Sequence, residues 1–219
     1  MNIGNAKKNI QKGFTLIEMI VVVAIIGVIT AIVLSNNTKL NSAVLVSNTA
    51  YEIGLIFREA QIAGLGVKAS KDQSGNLVFS SSHGVHVDMT TPSKLILFAD
   101  GGINKDGVFS QASGEMTQEF TLAKKSGTIL AICTKKDLGA ATTCLPDGPA
   151  AVSAVDIVFT RPNPESFFKI KKTVGSTYAS YTGGVVINIG FADSICRSIS
   201  IEKTGAVQVD NSYCPSSSN

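Results

Sequence analysis

From Phe14 to Leu34 the chain is apolar, with Glu18 as its single ionisable side chain. A membrane-spanning helix needs about 20 such residues, so this run is long enough to cross a bilayer. A carboxylate within it costs roughly 2.5–3.5 kcal/mol on insertion scales. A charge kept at that cost points to function. The leader, Met1–Gly13, carries Lys7, Lys8 and Lys12 and no acid. That bias holds the leader on the cytoplasmic side and sends whatever follows Leu34 outward. An ordinary secretory signal fits less well. Its apolar region would be about 7–15 residues, and the exit Leu34-Ser35-Asn36-Asn37 offers no A-x-A cleavage site.

The six residues Gly13-Phe14-Thr15-Leu16-Ile17-Glu18 resemble the type III signal of type IV pilins and type II secretion pseudopilins. The resemblance implies cleavage after Gly13 by prepilin peptidase, N-methylation of the new Phe14 amine, and use of Glu18 in filament assembly. It also implies partners: other pilins or pseudopilins, and an inner-membrane assembly platform driven by a cytoplasmic ATPase. The implied location is the bacterial inner membrane, crossed once with membrane lipid around the apolar run and the C-terminal domain outside the cytoplasm. After assembly the subunit sits in an extracytoplasmic fibre. The motif also has physical logic of its own. Glycine at 13 lets a peptidase approach the scissile bond closely. Glu18 lies four residues beyond Phe14, about one helical turn. The carboxylate and the freed amine can neutralise each other in the apolar layer, within one chain or between neighbours. The competing readings are a flexible join at Gly13 and a tolerated interfacial carboxylate at Glu18.

Helical character continues past Leu34. Asn36, Asn37 and Thr38 are weak helix formers, and the helix is expected to loosen there. Val46, Ala50, Ile53, Phe57 and Ala60 then recur at spacings of four and three, one face of a helix, and Gly64 and Gly66 read as its end. Leu55–Gly64 resembles the helix of the GspH/FimT branch of minor pseudopilins and minor pilins. Beyond Val67 the period changes. Short β-type runs lie at 77–79, 85–88, 94–98, 119–123, 128–133, 155–160, 167–171, 185–189, 195–201 and 206–209, separated by Gly, Ser, Asn and Pro. Ser81–Gly84 and Thr91–Ser93 read as turns. The expected organisation is a cleaved leader (1–13), a transmembrane segment (14–34), an amphipathic continuation (35–66) and an exported antiparallel β domain (67–219). The fold class is α+β and pilin-like, a long N-terminal helix whose second half packs on antiparallel sheets.

The four cysteines, Cys133, Cys144, Cys196 and Cys214, form no C-x-x-C pair and lie far from both histidines. Zinc is therefore disfavoured, and in an exported domain an even count reads as disulfides. Nearest-neighbour pairing, Cys133–Cys144 and Cys196–Cys214, is the chosen one of three connectivities. Asp100, Asn104 and Asp106 on a glycine-rich stretch make a calcium candidate. However, the EF-hand register fails at Gly102 and Ser113, and a hairpin turn between Leu97-Phe98 and Val108-Phe109 accounts for the same residues. No other cofactor is expected.

His83 and His86 read as surface residues on opposite strand faces. Lys169, Lys171 and Lys172 beside Phe167 and Phe168 read as a lysine-protected edge strand. As an alternative, they are a contact for DNA in an uptake pilus. Beyond the leader and Glu18 the chain carries sixteen basic and fifteen acidic residues, which is no electrostatic footprint for nucleic acid. No nucleophile elbow, P-loop or H-E-x-x-H is present, so no enzyme is expected. The function read from these features is a minor pseudopilin or pilin subunit of a type II secretion pseudopilus or type IV pilus.

Overall fold

The structure, a computed structural model, describes residues 13–66, 68–71, 74–79, 82–101, 105–123, 127–135, 142–143, 151–173, 177–191 and 195–210, with backbone alone at 35–40 and 142–143. The chain divides into two compact units, Met1–Asn41 and Ser42–Asn219. A helix, α1, is assigned over Leu16–Leu65. Asn36, Asn37 and Thr38 do not interrupt that assignment, contrary to the loosening expected from their propensities. Propensity is a weak term that the flanking helix-forming residues outweigh.

Among the described residues thirteen strands follow: β1 (Ser70–Lys71), β2 (Leu77–Val78), β3 (Ser82–Asp88), β4 (Lys94–Asp100), β5 (Met116–Thr121), β6 (Thr128–Lys135), β7 (Thr142–Thr143), β8 (Val152–Thr160), β9 (Asn163–Lys172), β10 (Ala179–Tyr181), β11 (Gly184–Gly190), β12 (Cys196–Ile201) and β13 (Val207–Asp210). One sheet has the order β10-β9-β8-β3-β4-β5 and the other β13-β12-β11-β6-β7, with β1-β2 a separate ribbon. The pairings among them are antiparallel throughout. The expected α+β arrangement, helix against antiparallel sheets, is what the chain adopts.

The helix face named from its spacing is the one that packs. Val46, Ala50, Ile53, Phe57 and Ala60 are all 0% exposed. They join one apolar cluster with Val85, Leu97, Ile157 and Phe159 of the six-stranded sheet and Val185, Ile187 and Ile199 of the five-stranded sheet. β3, β4, β9, β11 and β12 contribute alternate residues to that cluster, as the pleat requires. Gly64 lies inside the helix. A Cβ there would overlap the Phe159 carbonyl, so glycine serves close approach of α1 to β8 and does not terminate the helix.

Several local expectations shift. Ser82–Gly84 belong to β3 and not to a turn, because His83 and Gly84 pair with both β4 and β8. The strand expected at 119–123 begins at Met116. β9 is not an edge, since β10 pairs outside it.

Cys133 and Cys196 are both disulfide-bonded. They lie opposite Val186 and Gly190, on the two sides of β11. Four residues along a strand span about 14 Å, beyond the ~7 Å Cα separation a disulfide tolerates. The connectivity joining Cys133 to Cys196 is therefore excluded, while Cys144 and Cys214 lie outside the described residues.

If the helix stripe organises the domain, Phe57→Ala should destabilise it by about 3–5 kcal/mol. Leu55→Ala, on the exposed face, should change stability by no more than about 0.5 kcal/mol. Urea unfolding of the two variants side by side measures the difference.

Candidate functional site: the start of the apolar helix

Gly13, Phe14 and Thr15 precede α1 in non-helical backbone. Thr15 is the N-cap. Its carbonyl accepts the Met19 N–H at 3.3 Å, and its Oγ1 accepts the Glu18 N–H, also at 3.3 Å. Thr15-Leu16-Ile17-Glu18 thus has the T-x-x-E spacing of a capping box, with Glu18 at the third helical position. In an apolar layer the first-turn N–H groups find no water, so a side-chain acceptor matters more there than in solution. A carboxylate in the first turn also complements the positive end of the helix dipole.

Among the described residues no atom lies within 4 Å of where a Cβ at Gly13 would sit, and its φ is not in the left-handed region. Phe14 is 81% exposed. Leu16–Leu34 has a mean hydropathy of 2.9, and every residue in it is exposed. By length and composition this segment can cross a membrane.

Residues 8–34 match the prokaryotic N-terminal methylation motif. Fimbrial protein Q of Moraxella bovis is 31% identical over 155 residues, which covers 65% of this chain and 90% of that protein. The chain belongs to the type IV pilin and pseudopilin family. A second relative, the type IV major alpha-pilin of Moraxella bovis, is 30% identical over 103 residues, or 43% of this chain and 65% of its own length. No solved structure gives a significant match.

The pilin domain carries a second set of polar residues that sequence reasoning misplaced. Glu119, Ile96, His86, Asp156, Lys169 and Ser180 follow one another in register across all six strands of the larger sheet. Within that row His86 Nδ1 lies 2.6 Å from Asp156 Oδ1. Asp156 is fully buried and His83 nearly so, which overturns the surface reading of the histidines. Seventy residues separate His86 from Asp156, so no local signal joined them. The opposite-face expectation does hold, as His83 shares the parity of core residues Val85 and Val87, and His86 points the other way.

Burial raises the Asp156 carboxyl, and the His86 hydrogen bond and charge oppose the rise. Burial likewise raises Asp100, against the Gly107 N–H. Of the calcium candidates, Asn104 lies outside the described residues. Asp100 Oδ2 accepts the Gly107 N–H and Asp106 Oδ1 the Val108 N–H, the bonding of a turn. Among the described residues no group of three His, Cys, Asp or Glu side chains is placed to hold a metal.

Thr15→Val should remove the cap acceptor and cost about 1 kcal/mol at the first turn, or about fivefold faster exchange of the Glu18 amide. Thr15→Ser should preserve protection. Amide exchange of the full chain in micelles reads both, and equal rates in the two variants would show that Thr15 does not cap the helix.

Proposed function

We propose that the chain is a minor pilin or pseudopilin subunit of the GspH/FimT type, stored in the bacterial inner membrane and drawn into an extracytoplasmic fibre. Its work is mechanical, not enzymatic. In this reading prepilin peptidase cuts after Gly13 and the new Phe14 amine is N-methylated. The amine and the Glu18 carboxylate then share an apolar layer in which an unpaired charge is costly. A neighbour's carboxylate can neutralise the amine and set the register of the incoming subunit. The names of the relatives, a fimbrial protein and a major alpha-pilin, favour a pilus-type fibre. The platform, its ATPase and neighbouring pilins are the partners this mechanism needs. For the disulfides we carry nearest-neighbour pairing, Cys133–Cys144 and Cys196–Cys214.

The observation that carries an assembly role is the outer face of α1. Val44, Tyr51, Leu55 and Ile62 are 57%, 60%, 66% and 73% exposed. Their spacings of seven, four and seven place them in one line along the helix. Leu55 also borders a groove of about 430 Å³ between α1 and the end of β5, lined by Ile53, Ile56, Phe120 and Leu122. A lone monomer gains nothing from such a line, and contiguous exposed apolar surface marks an interaction site. A neighbouring apolar helix is a suitable occupant.

A second reading, a DNA-contacting subunit of an uptake pilus, has one observation in its favour. Phe167, Lys169 and Lys171 share the outer face of β9, and the Lys171 ammonium stands 6.0 Å from the Tyr178 ring centroid. Aromatic and basic side chains on one sheet face suit single-stranded nucleic acid. Retention of DNA at moderate salt, lost in Lys169→Ala and Lys171→Ala, separates the two readings.

Co-expression with a prepilin peptidase should yield a mature chain beginning at Phe14, and Gly13→Val should block the cut. Glu18→Gln should leave insertion and cleavage intact while reducing crosslinking to co-assembled pilins. Mass spectrometry and in vivo crosslinking measure these. A mature N-terminus beyond Leu34 would overturn the reading, and crosslinking at the wild-type level in Glu18→Gln would remove the assembly role of that residue.

A further inference from the structure

Between β4 and β5 the segment Lys105–Glu115 lies on the outer face of the six-stranded sheet. Phe109 packs there with its ring centroid 4.9 Å from that of His86 and 5.6 Å from that of Phe98. Four successive backbone N–H groups in this segment each meet a different carboxylate. Gly107 donates to Asp100 Oδ2 at 3.0 Å, Val108 to Asp106 Oδ1 at 2.9 Å and Ser110 to Glu115 Oε2 at 2.8 Å. The Phe109 N–H between them acts on the Asp156 carboxylate. Asp100, Glu115 and Asp156 are 2%, 6% and 0% exposed. Among the described residues Asp100 Oδ1 and Asp156 Oδ2 have no hydrogen-bond partner.

The cations around this cluster are few. His86 pairs with Asp156, and Lys105 acts on Asp100. The stem of Lys169 lies beside Gly107. His83 and Lys68 share a cavity of about 220 Å³ with Glu115. Tyr178 feels the charge of both Asp156 and Asp88. The backbone N–H groups favour ionised carboxylates. Burial of Asp100, Glu115 and Asp156, with the repulsion each feels from neighbouring acids, opposes their ionisation.

We propose that Lys105–Glu115 is an acid-closed clasp, seated on the sheet while the buried Glu115 carboxyl holds its proton and released from it as that group ionises. Release uncovers Phe98, His86 and Asp156 on the outer face of the exported domain, where the pH is that of the surroundings. Opening restores water to the carboxylates and relieves their repulsion, and closing restores the Phe109 packing. The direction is set by which state binds protons more tightly. Burial raises Glu115 from 4.5 to about 7 in the closed form, the neighbouring acids adding to the rise. The closed form therefore keeps a proton that the open form has lost. Closure is favoured in full below the ordinary carboxyl range and weakens as pH rises through about 7. Glu115 alone allows the closed-to-open ratio to fall by up to about 300-fold across that interval.

Hydrogen exchange of the full chain in detergent micelles tests the clasp. Protection factors, corrected for intrinsic rates, are measured for the amides of Gly107–Ser110 at about pH 5 and about pH 8, with β11 amides as the internal standard. The expected result is a fall of at least about tenfold for the clasp amides and none for β11, with the fall abolished in Glu115→Gln. Asp100→Asn, read in the same way, serves if Glu115→Gln does not fold. Equal protection at both pH values, a fall shared by β11, or a fall that persists in the variant would overturn the proposal.

Discussion

The burial of one stripe of α1 among the inner faces of two sheets is the constraint on which the domain rests. Phe57, Ile53 and Val46 belong to the one cluster that both sheets share. Small residues, Ala50, Ala60 and Gly64, lie in the same stripe as large ones, and Gly64 lets the helix approach β8 closely. The opposite side of the same helix leaves Val44, Tyr51, Leu55 and Ile62 exposed. One element thus holds the domain together and, in the proposed assembly, presents its outer line to a neighbour.

The same helix meets two solvents. Over Leu16–Leu34 it is apolar on every side, as lipid requires. From Val46 it is apolar where the sheets lie and mixed elsewhere. Its start is set by Thr15, which caps the first turn and brings Glu18 to the helix terminus. That placement keeps Gly13 and Phe14 outside the helical ladder. In the proposed function the same six residues would serve as a cap, a cut site and a counter-charge together.

The larger sheet departs from a simple inside-apolar, outside-polar pattern. Its outer face buries His86 and Asp156 under Phe109, and buried carboxylates survive there by accepting backbone N–H groups. Such groups destabilise a domain unless each finds a partner. Their presence in an otherwise well-packed sheet marks Lys105–Glu115 as the part most sensitive to its surroundings.

Sequence alone determined the features whose physics is local or periodic. The membrane-length run, the Gly13–Glu18 signal and the buried face of α1 were all legible, because hydrophobic period and chain-neighbour spacing carry that information directly. The change to strands beyond Val67 and most strand positions were legible for the same reason. Tertiary structure decided what depends on distant pairing. It brought Asp156 to His86 and set Lys169 beside that pair. It separated Cys133 from Cys196 and gave β9 an outer neighbour. It also turned Ser82–Gly84 from an apparent turn into a central strand. In each case the deciding interaction joins residues on different strands, where side-chain type names a capacity to bond but cross-strand register chooses the partner.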